Sequence, residues 1–483
     1  MHFSIIIKIL GILLMLFSGL SNLLPIIVSF IYKDNTASAF AYSFLATFTI
    51  GFVLWLATSR SKQELHTRDG FLIVTLFWAV LGTIGCLPFL LAATPELSIT
   101  DAVFEALSGL TTTGATVISG IDTLPKSILF YRQQLQWLGG MGIVALAVAV
   151  LPMLGIGGMQ LYRAESPGPV KDHKLVPRLA ETAKALWYIY LALTAACALA
   201  YWAVGMTFFD AISHSFTTIA IGGFSTHDAS LGYFDNPAVD LVAIVFMFIA
   251  GINFALHFTA WGRRSLKHYL ADPEFRFYAF ILLFVSVVTV LTLVLSERYG
   301  LFDSLTKGVF QVVSIATTTG FTTADYTSWP TFLTYMLFYA AIIGACAGST
   351  GGGMKVIRIL LIFKQGIREV QRLIHPRAQI PIKLGKNPVP DKVIDAVWGF
   401  FAVYVMAFMA MLLALLATGV DIITAFSAVG ACINNLGPGL ENVAQNYGHL
   451  PNTAKWILCF AMLLGRLEVF TLLVLFTPMF WRK

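Results

Sequence analysis

Apolar runs of about 20 residues, long enough to cross a bilayer, recur from Ile9–Tyr32 to the stretch that ends at Trp481. Between them lie, in alternation, basic linkers and short segments of one recurring design. The short segments read DAVFEALSGLTTTGAT from Asp101, DAISHSFTTIAIGGFST from Asp210, DSLTKGVFQVVSIATTTGFTT from Asp303 and DIITAFSAVGACINNLGPG from Asp421. Their glycines, Gly114, Gly223, Gly320 and Gly437, fall roughly 100 residues apart, a period that signals repeated supersecondary units. Each short segment is too brief to span a bilayer. Its Asp is expected to cap a helix N-terminus, and its Gly-containing tail permits backbone shapes that a helix does not. The pattern therefore predicts four half-helices, each followed by extended chain. Irregular backbone is tolerated at membrane depth only where protein or a water-filled cavity surrounds it, so the four tails are predicted to converge on one axis.

The fold expected is an all-α polytopic membrane protein with four pseudo-symmetric helix–pore loop–helix units around a central pore. An extra helix pair, Ile9 to Tyr32 and Ala37 to Thr58, precedes them. The expected divisions are 1–69 for that pair, 70–161, 162–262 and 263–390 for the first three units, and 391–483 for the fourth.

Composition agrees with a chain embedded in lipid: 58% of the 483 residues are hydrophobic and 12% charged, against about 25% charged in soluble domains. The first apolar run follows only Lys8, is longer than the core of a signal peptide, and is read as a retained helix. The linkers Ser59 to Gly70, Tyr162 to Lys184, Gly262 to Arg276 and Lys355 to Lys392 hold 21 Lys and Arg against nine Asp and Glu. By the positive-inside rule they are cytoplasmic, as are both termini. The acidic alternate segments then face outward, where their field concentrates cations or simply keeps the surface soluble.

The cysteines, Cys86, Cys197, Cys346, Cys432 and Cys459, lack paired spacing, and the histidines lack ligand spacing. His214 is expected to be a packed or capping side chain. An enzyme would need nucleophiles, bases or metal ligands clustered at one cavity, and the sequence offers none.

Backbone carbonyls freed from helix bonding can replace the water around an ion, and helix C-terminal ends add partial negative charge. The candidate cation-contacting residues are Thr111, Thr112, Thr113 and Gly114 in the first tail and Ala220, Ile221, Gly222 and Gly223 in the second. Thr318, Thr319 and Gly320 serve the third, and Asn435, Leu436 and Gly437 the fourth. In the second tail either Gly222 or Gly223 is the equivalent glycine. The competing reading, close helix packing through small residues, explains one such cluster better than four in register.

The apolar run from Thr331 is interrupted by Gly348, Ser349, Thr350, Gly351, Gly352 and Gly353, and glycines at about 1 kcal/mol each relative to Ala break a helix there. A loop at that depth is a candidate gate. The string GSTGGGMK is not a nucleotide-binding loop, because Met354 stands where that motif needs lysine. No nucleotide site is expected on this chain. Arg466 and Glu468 interrupt the last run, and intramembrane charges need partners or water.

Together with Gln133 to Ile143 (QQLQWLGGMGI) and Gly344 to Lys355 (GACAGSTGGGMK), these units resemble the Trk, Ktr and HKT superfamily of cation transporters. The extra helix pair favours its TrkH-type members. The resemblance implies potassium as the transported ion, since each filter there carries one glycine and a serine in the first filter goes with sodium. It implies that the 348–353 loop gates the path, and it puts Arg466 beside the pore against that loop. It further implies a homodimer in the bacterial inner membrane. The linker Lys355 to Lys392 would dock a cytosolic nucleotide-binding ring such as TrkA, although anionic lipid is an equally good partner for its charges. No nucleic-acid partner is expected. The alternative function is a proton- or sodium-coupled potassium symporter, for which Glu468 is the best buried carboxylate and Asp395 lies near a membrane edge.

Overall fold

The extra pair folds as helices Phe3–Tyr32 and Ala37–Thr58, in a computed structural model that describes residues 2–61, 67–154 and 179–482. The linker expected at Tyr162 to Lys184, and with it the division at 161/162, falls mainly outside the described residues. The pair is tied to the first unit by polar contacts. Gln134 Nε2 donates to the Leu20 carbonyl at 2.6 Å, the Ser127 N–H donates to Asp34 Oδ2 at 2.9 Å, and the Thr36 and Ser127 hydroxyls bond each other.

The remaining chain repeats one plan four times. Incoming helices Thr67–Ile84 (continued by Leu87–Leu91), Leu179–Ala203, Pro273–Leu295 and Asp391–Leu416 lead into half-helices Ile99–Leu110, Phe208–Ala220, Leu301–Ala316 and Ile422–Ile433. Outgoing helices begin at Lys126, Pro237, Thr331 and Asn452. Among the described residues, six helices are long and apolar enough to cross a membrane, or up to eight if each bent pair is one span. The incoming helices leave large apolar side chains uncovered, Leu283, Phe284, Leu291 and Leu295 among them, as a lipid-facing surface requires. The half-helices are the opposite. Every residue of the first from Ala102 to Leu110 is buried, the mark of a helix enclosed on all sides.

The Asp residues that lead the short segments do not all cap their helices. Asp421 does, accepting from the Thr424 N–H at 2.9 Å. Asp101 and Asp210 instead stand three residues inside, where Ser98 and Thr207 are the caps. Each hydroxyl accepts the Asp N–H at 3.1 Å and donates back to the carboxylate at 2.7 Å, a relative of the capping box in which Asp replaces Glu. Asp303 holds the same third position after Gly300.

Three outgoing helices break, where the sequence predicts one. The third stops at Ile343 and resumes at Val356, as expected from its glycine run. The second bends by 91° between Ala250 and Phe254, and the fourth by 109° between Arg466 and Phe470. Asn253 caps the new segment at the second break, its side-chain oxygen accepting from Ala255 N–H at 2.8 Å. At the fourth, Glu468 and Val469 both adopt positive φ. Hydropathy runs through the second unit's break without interruption, whereas the charges of Arg466 and Glu468 stand at the fourth.

Candidate functional site

All four half-helices end in the same way. Thr112, Ile221, Thr318 and Asn435 take left-handed backbone, with φ of 57°, 54°, 70° and 52°. Each donates its N–H three residues back, to Gly109, Thr218, Ile315 and Cys432. The next N–H of each tail reaches five back: Thr113 to Ser108, Gly222 to Thr217, Thr319 to Ser314 and Leu436 to Ala431, all at 2.8–2.9 Å. This pair of bonds is the Schellman motif, which ties off a helix end and turns the chain away from it. Two residues after the left-handed position come Gly114, Gly223, Gly320 and Gly437. Gly223, not Gly222, is therefore the second tail's equivalent glycine.

The four glycines meet in cyclic order. A side chain on Gly114 would strike the Gly222 carbonyl, and one on Gly223 the Thr319 carbonyl. One on Gly320 would lie 3.3 Å from Gly437 N, and one on Gly437 would lie 2.5 Å from the Gly114 oxygen, which closes the ring. Above the ring opens a cavity of about 860 Å3, lined by the four glycines and by Asp228, Asp325 and Glu441. An acidic mouth can attract cations, and backbone freed from helix bonding at such a ring can offer carbonyls in place of their water.

On the other side of the ring lies the loop 344–355. Thr350 Oγ1 donates to the Ile219 carbonyl at 2.8 Å, Gly352 N–H to Thr318 Oγ1 at 2.7 Å, and Gly353 N–H to the Asn434 carbonyl at 3.1 Å. It thus touches the second, third and fourth tails. Ser349, Thr350, Gly351 and Gly352 are buried, whereas Gly348 is exposed and accepts from Phe254 N–H at the second unit's break. Arg466 donates to the Thr350 carbonyl at 3.3 Å and the Gly139 carbonyl at 2.7 Å, and its guanidinium lies 5.0 Å from the Trp78 ring. Glu468 pairs with Arg358, so the arginine and glutamate of the last apolar run look to different partners.

Several side chains brace this arrangement in roles that the sequence reading did not assign to them. Gln136 grips the second tail twice, donating to the Gly222 carbonyl at 2.6 Å and accepting from Phe224 N–H at 3.0 Å. Asn435 Nδ2 joins the fourth tail to Thr113 Oγ1 at 3.1 Å. Lys355, assigned by its charge to a cytoplasmic linker, is instead buried with Nζ on the Gly351 carbonyl. Arg132, in the first outgoing helix, is buried against Glu105. A polar residue inside an apolar helix, as in QQLQW, was the available signal. His214 is a packed side chain as expected, held between the Asp210 carbonyl and Ser225 Oγ at 2.9 Å each.

At the acidic mouth His227 joins the loop of Asp122 to the second half-helix. Its Nδ1 lies 2.5 Å from Asp122 Oδ1, its Nε2 lies 3.6 Å from Asp210 Oδ1, and its ring stacks on Tyr233. Burial alone would pull its pKa down, but the Asp210 and Asp122 bonds outweigh burial and raise it above the ordinary histidine value. A raised folded pKa means the clasp contributes fully below the unfolded value of about 6.5 and is lost as pH climbs through the raised one. The melting temperature of the detergent-solubilised protein is expected to fall by about 2 °C between pH 6 and pH 9 through this contact. His227→Gln should abolish that part of the slope, and an unchanged slope would remove the clasp from the account.

Four helix, half-helix and helix repeats, closed around one ring of backbone, define a multi-pass membrane protein of the pore-loop class. The family model described as "TrkH: Cation transport protein" matches residues 36–483, and the chain belongs to that family. It is 58% identical over 483 residues to the Trk system potassium uptake protein TrkH of Halomonas elongata, with both chains covered fully. With the Escherichia coli K12 protein TrkH identity is 56% over 484 residues, again across both whole chains. With TrkG of the same organism it is 42%, covering 100% of this chain and 99% of the relative. The crystal structure of the potassium transporter TrkH from Vibrio parahaemolyticus superposes with a TM-score of 0.92 at 55% identity, all of both chains being covered.

Proposed function

We propose that this chain carries potassium into the cell through a gated pore along the axis of the glycine ring. The closed ring of Gly114, Gly223, Gly320 and Gly437, set between an acidic mouth and a buried loop, is the observation that carries this reading. The names of its relatives supply the ion. Potassium is then contacted by Thr111 to Gly114, Ala220 to Gly223, Thr318 to Gly320 and Asn435 to Gly437. Gly348 to Gly353 form the gate, with Arg466 holding it from the fourth unit. The divisions 1–69, 70–161, 162–262, 263–390 and 391–483 describe one entry pair and four pore units.

The acidic mouth faces outward and both termini lie in the cytoplasm of a bacterial cell, in its inner membrane. A cytosolic nucleotide-binding ring of the TrkA type docks on 355–392. This segment folds as helix Val356–Ile374 and a short hairpin. Beyond its buried Leu360 and Leu361, the helix leaves Phe363, Val370 and Leu373 uncovered for a partner. A homodimer is the assembly that family membership suggests.

Purified protein in liposomes separates this function from ion-coupled symport. Potassium flux down its own gradient is expected to persist when the pH and sodium gradients are collapsed. Flux that vanishes with either gradient would establish symport instead.

A further inference from the structure

Behind the first tail stands a buried charge pair. Glu105, in the first half-helix, is 0% exposed and Arg132, in the outgoing helix, 1%, and they meet at 2.8 Å. Arg132 Nη2 donates to Thr116 Oγ1 and Nη1 to the Ser225 carbonyl, both at 3.1 Å, and its guanidinium lies 4.3 Å from the Phe224 ring. Glu105 accepts from the Thr116 hydroxyl and from Val117 N–H at 3.0 Å. The pair therefore grips the chain two residues beyond Gly114 and two beyond Gly223, fastening one tail to the next. Arg132 also lines the wall of the outer cavity.

The other units fill these positions differently. Counted back from the left-handed residue of each tail, Glu105 corresponds to His214, Gln311 and Ala428. Counted from Pro125, Asn236, Pro330 and Pro451, Arg132 corresponds to Ala243, Leu337 and Leu458, all fully buried. At the arginine's place apolar packing thus serves three times, and at the glutamate's place no other unit carries a carboxylate. A buried ion pair seldom stabilises more than apolar residues of similar volume, so stability does not account for this one. What a charge pair adds is directed bonds, here three from a single rigid guanidinium fork.

Resting on the pore reading above, we infer that Glu105 and Arg132 are positioning residues for ion selection, which set the spacing of the first two tails. Glu105 also cancels a positive charge that would otherwise repel cations at the pore mouth. The two roles separate experimentally in liposomes, with potassium and sodium flux measured on the full chain. Glu105→Gln leaves Arg132 uncompensated and should lower both potassium flux and the potassium-to-sodium ratio by about tenfold. The double variant Glu105→Gln, Arg132→Gln restores neutrality, so flux should return to within about twofold while the ratio stays low. Arg132→Lys keeps the charge but, lacking the planar fork, cannot hold both tails, and the ratio should fall with flux preserved. If the charged variants do not accumulate, Thr116→Val removes one hydroxyl of the bridge and should shift the ratio in the same direction.

A wild-type ratio in Arg132→Lys, in the double variant or in Thr116→Val overturns the positioning role. Flux that fails to recover in the double variant overturns the charge-cancelling role. Gly114→Ser run alongside distinguishes the failures. If it alone loses selectivity, the proposal is wrong and the pore reading stands, and if it too keeps the ratio, the pore reading has failed at the first tail, which then takes no part in ion selection.

Discussion

Deleting Gly348 to Gly353 is expected to raise potassium flux through the reconstituted protein by about 100-fold or more. The size follows from what holds the loop. Four hydrogen bonds tie it to three tails and to the fourth outgoing helix: Thr350 to Ile219, Gly352 to Thr318, Gly353 to Asn434, and Arg466 to Thr350. Each contributes roughly 0.5–1.5 kcal/mol net. Together they hold the closed arrangement by about 3–4 kcal/mol, a population ratio on the order of 10² to 10³ at about 1.4 kcal/mol per tenfold. The deletion leaves the anchor on its entry side intact, because the Ala347 N–H donates to Glu274 Oε1 at 2.7 Å, so the flanking helices keep their attachment. Flux would be read as ion release from loaded liposomes, with the melting transition as the check on folding. A folded deletion variant with unchanged or reduced flux would sink the gate.

The repeat was legible in the sequence because membrane physics writes it in large letters. A segment too short to span, ending in Gly and Thr at membrane depth, has few structural solutions, and four such segments at a common period have one. The glycine interruption of the third outgoing helix was legible for the same reason. What escaped was which of several polar residues a helix end or a buried charge takes as its partner. Ser98 and Thr207 outcompete Asp101 and Asp210 as caps, although all four are good capping residues, because the helix begins three residues earlier than the Asp-led pattern implies. The break after Ala250 lies within an apolar run that no charge interrupts, and at the break after Arg466 the sequence showed two charges but not the bend they accompany. Lys355 was sorted by charge into a linker, yet it is buried on the carbonyl of Gly351 four residues before it, and Arg132 is buried on a carboxylate that the fold brings from the preceding half-helix. Sequence places a charge along the chain, and only packing decides whether water or a partner answers it.

Replacement of Gly114 by Ser is expected to lower the potassium-to-sodium flux ratio by about tenfold or more, the equivalent of about 1.4 kcal/mol in discrimination. Two costs act at this residue together. Its φ of +79° is left-handed backbone that a side-chain-bearing residue adopts with strain of roughly 1–3 kcal/mol. Its added Cβ would also collide with the Gly222 carbonyl of the neighbouring tail. Neither tail yields freely. Gly222 is held from behind by Gln136 at 2.6 Å, and the first tail is tied by its Schellman bonds and by Asn435 on Thr113. The relief open to the ring is outward rotation of the carbonyls that face the axis. That weakens the contacts which replace the hydration shell, and the serine hydroxyl offers a new oxygen in their place. A looser ring with a mobile oxygen loses its preference between two monovalent cations sooner than its ability to pass them, so total cation flux should fall less than the ratio. Parallel potassium and sodium flux on the same preparation measures both quantities, and a ratio unchanged within error would remove the first tail from ion selection.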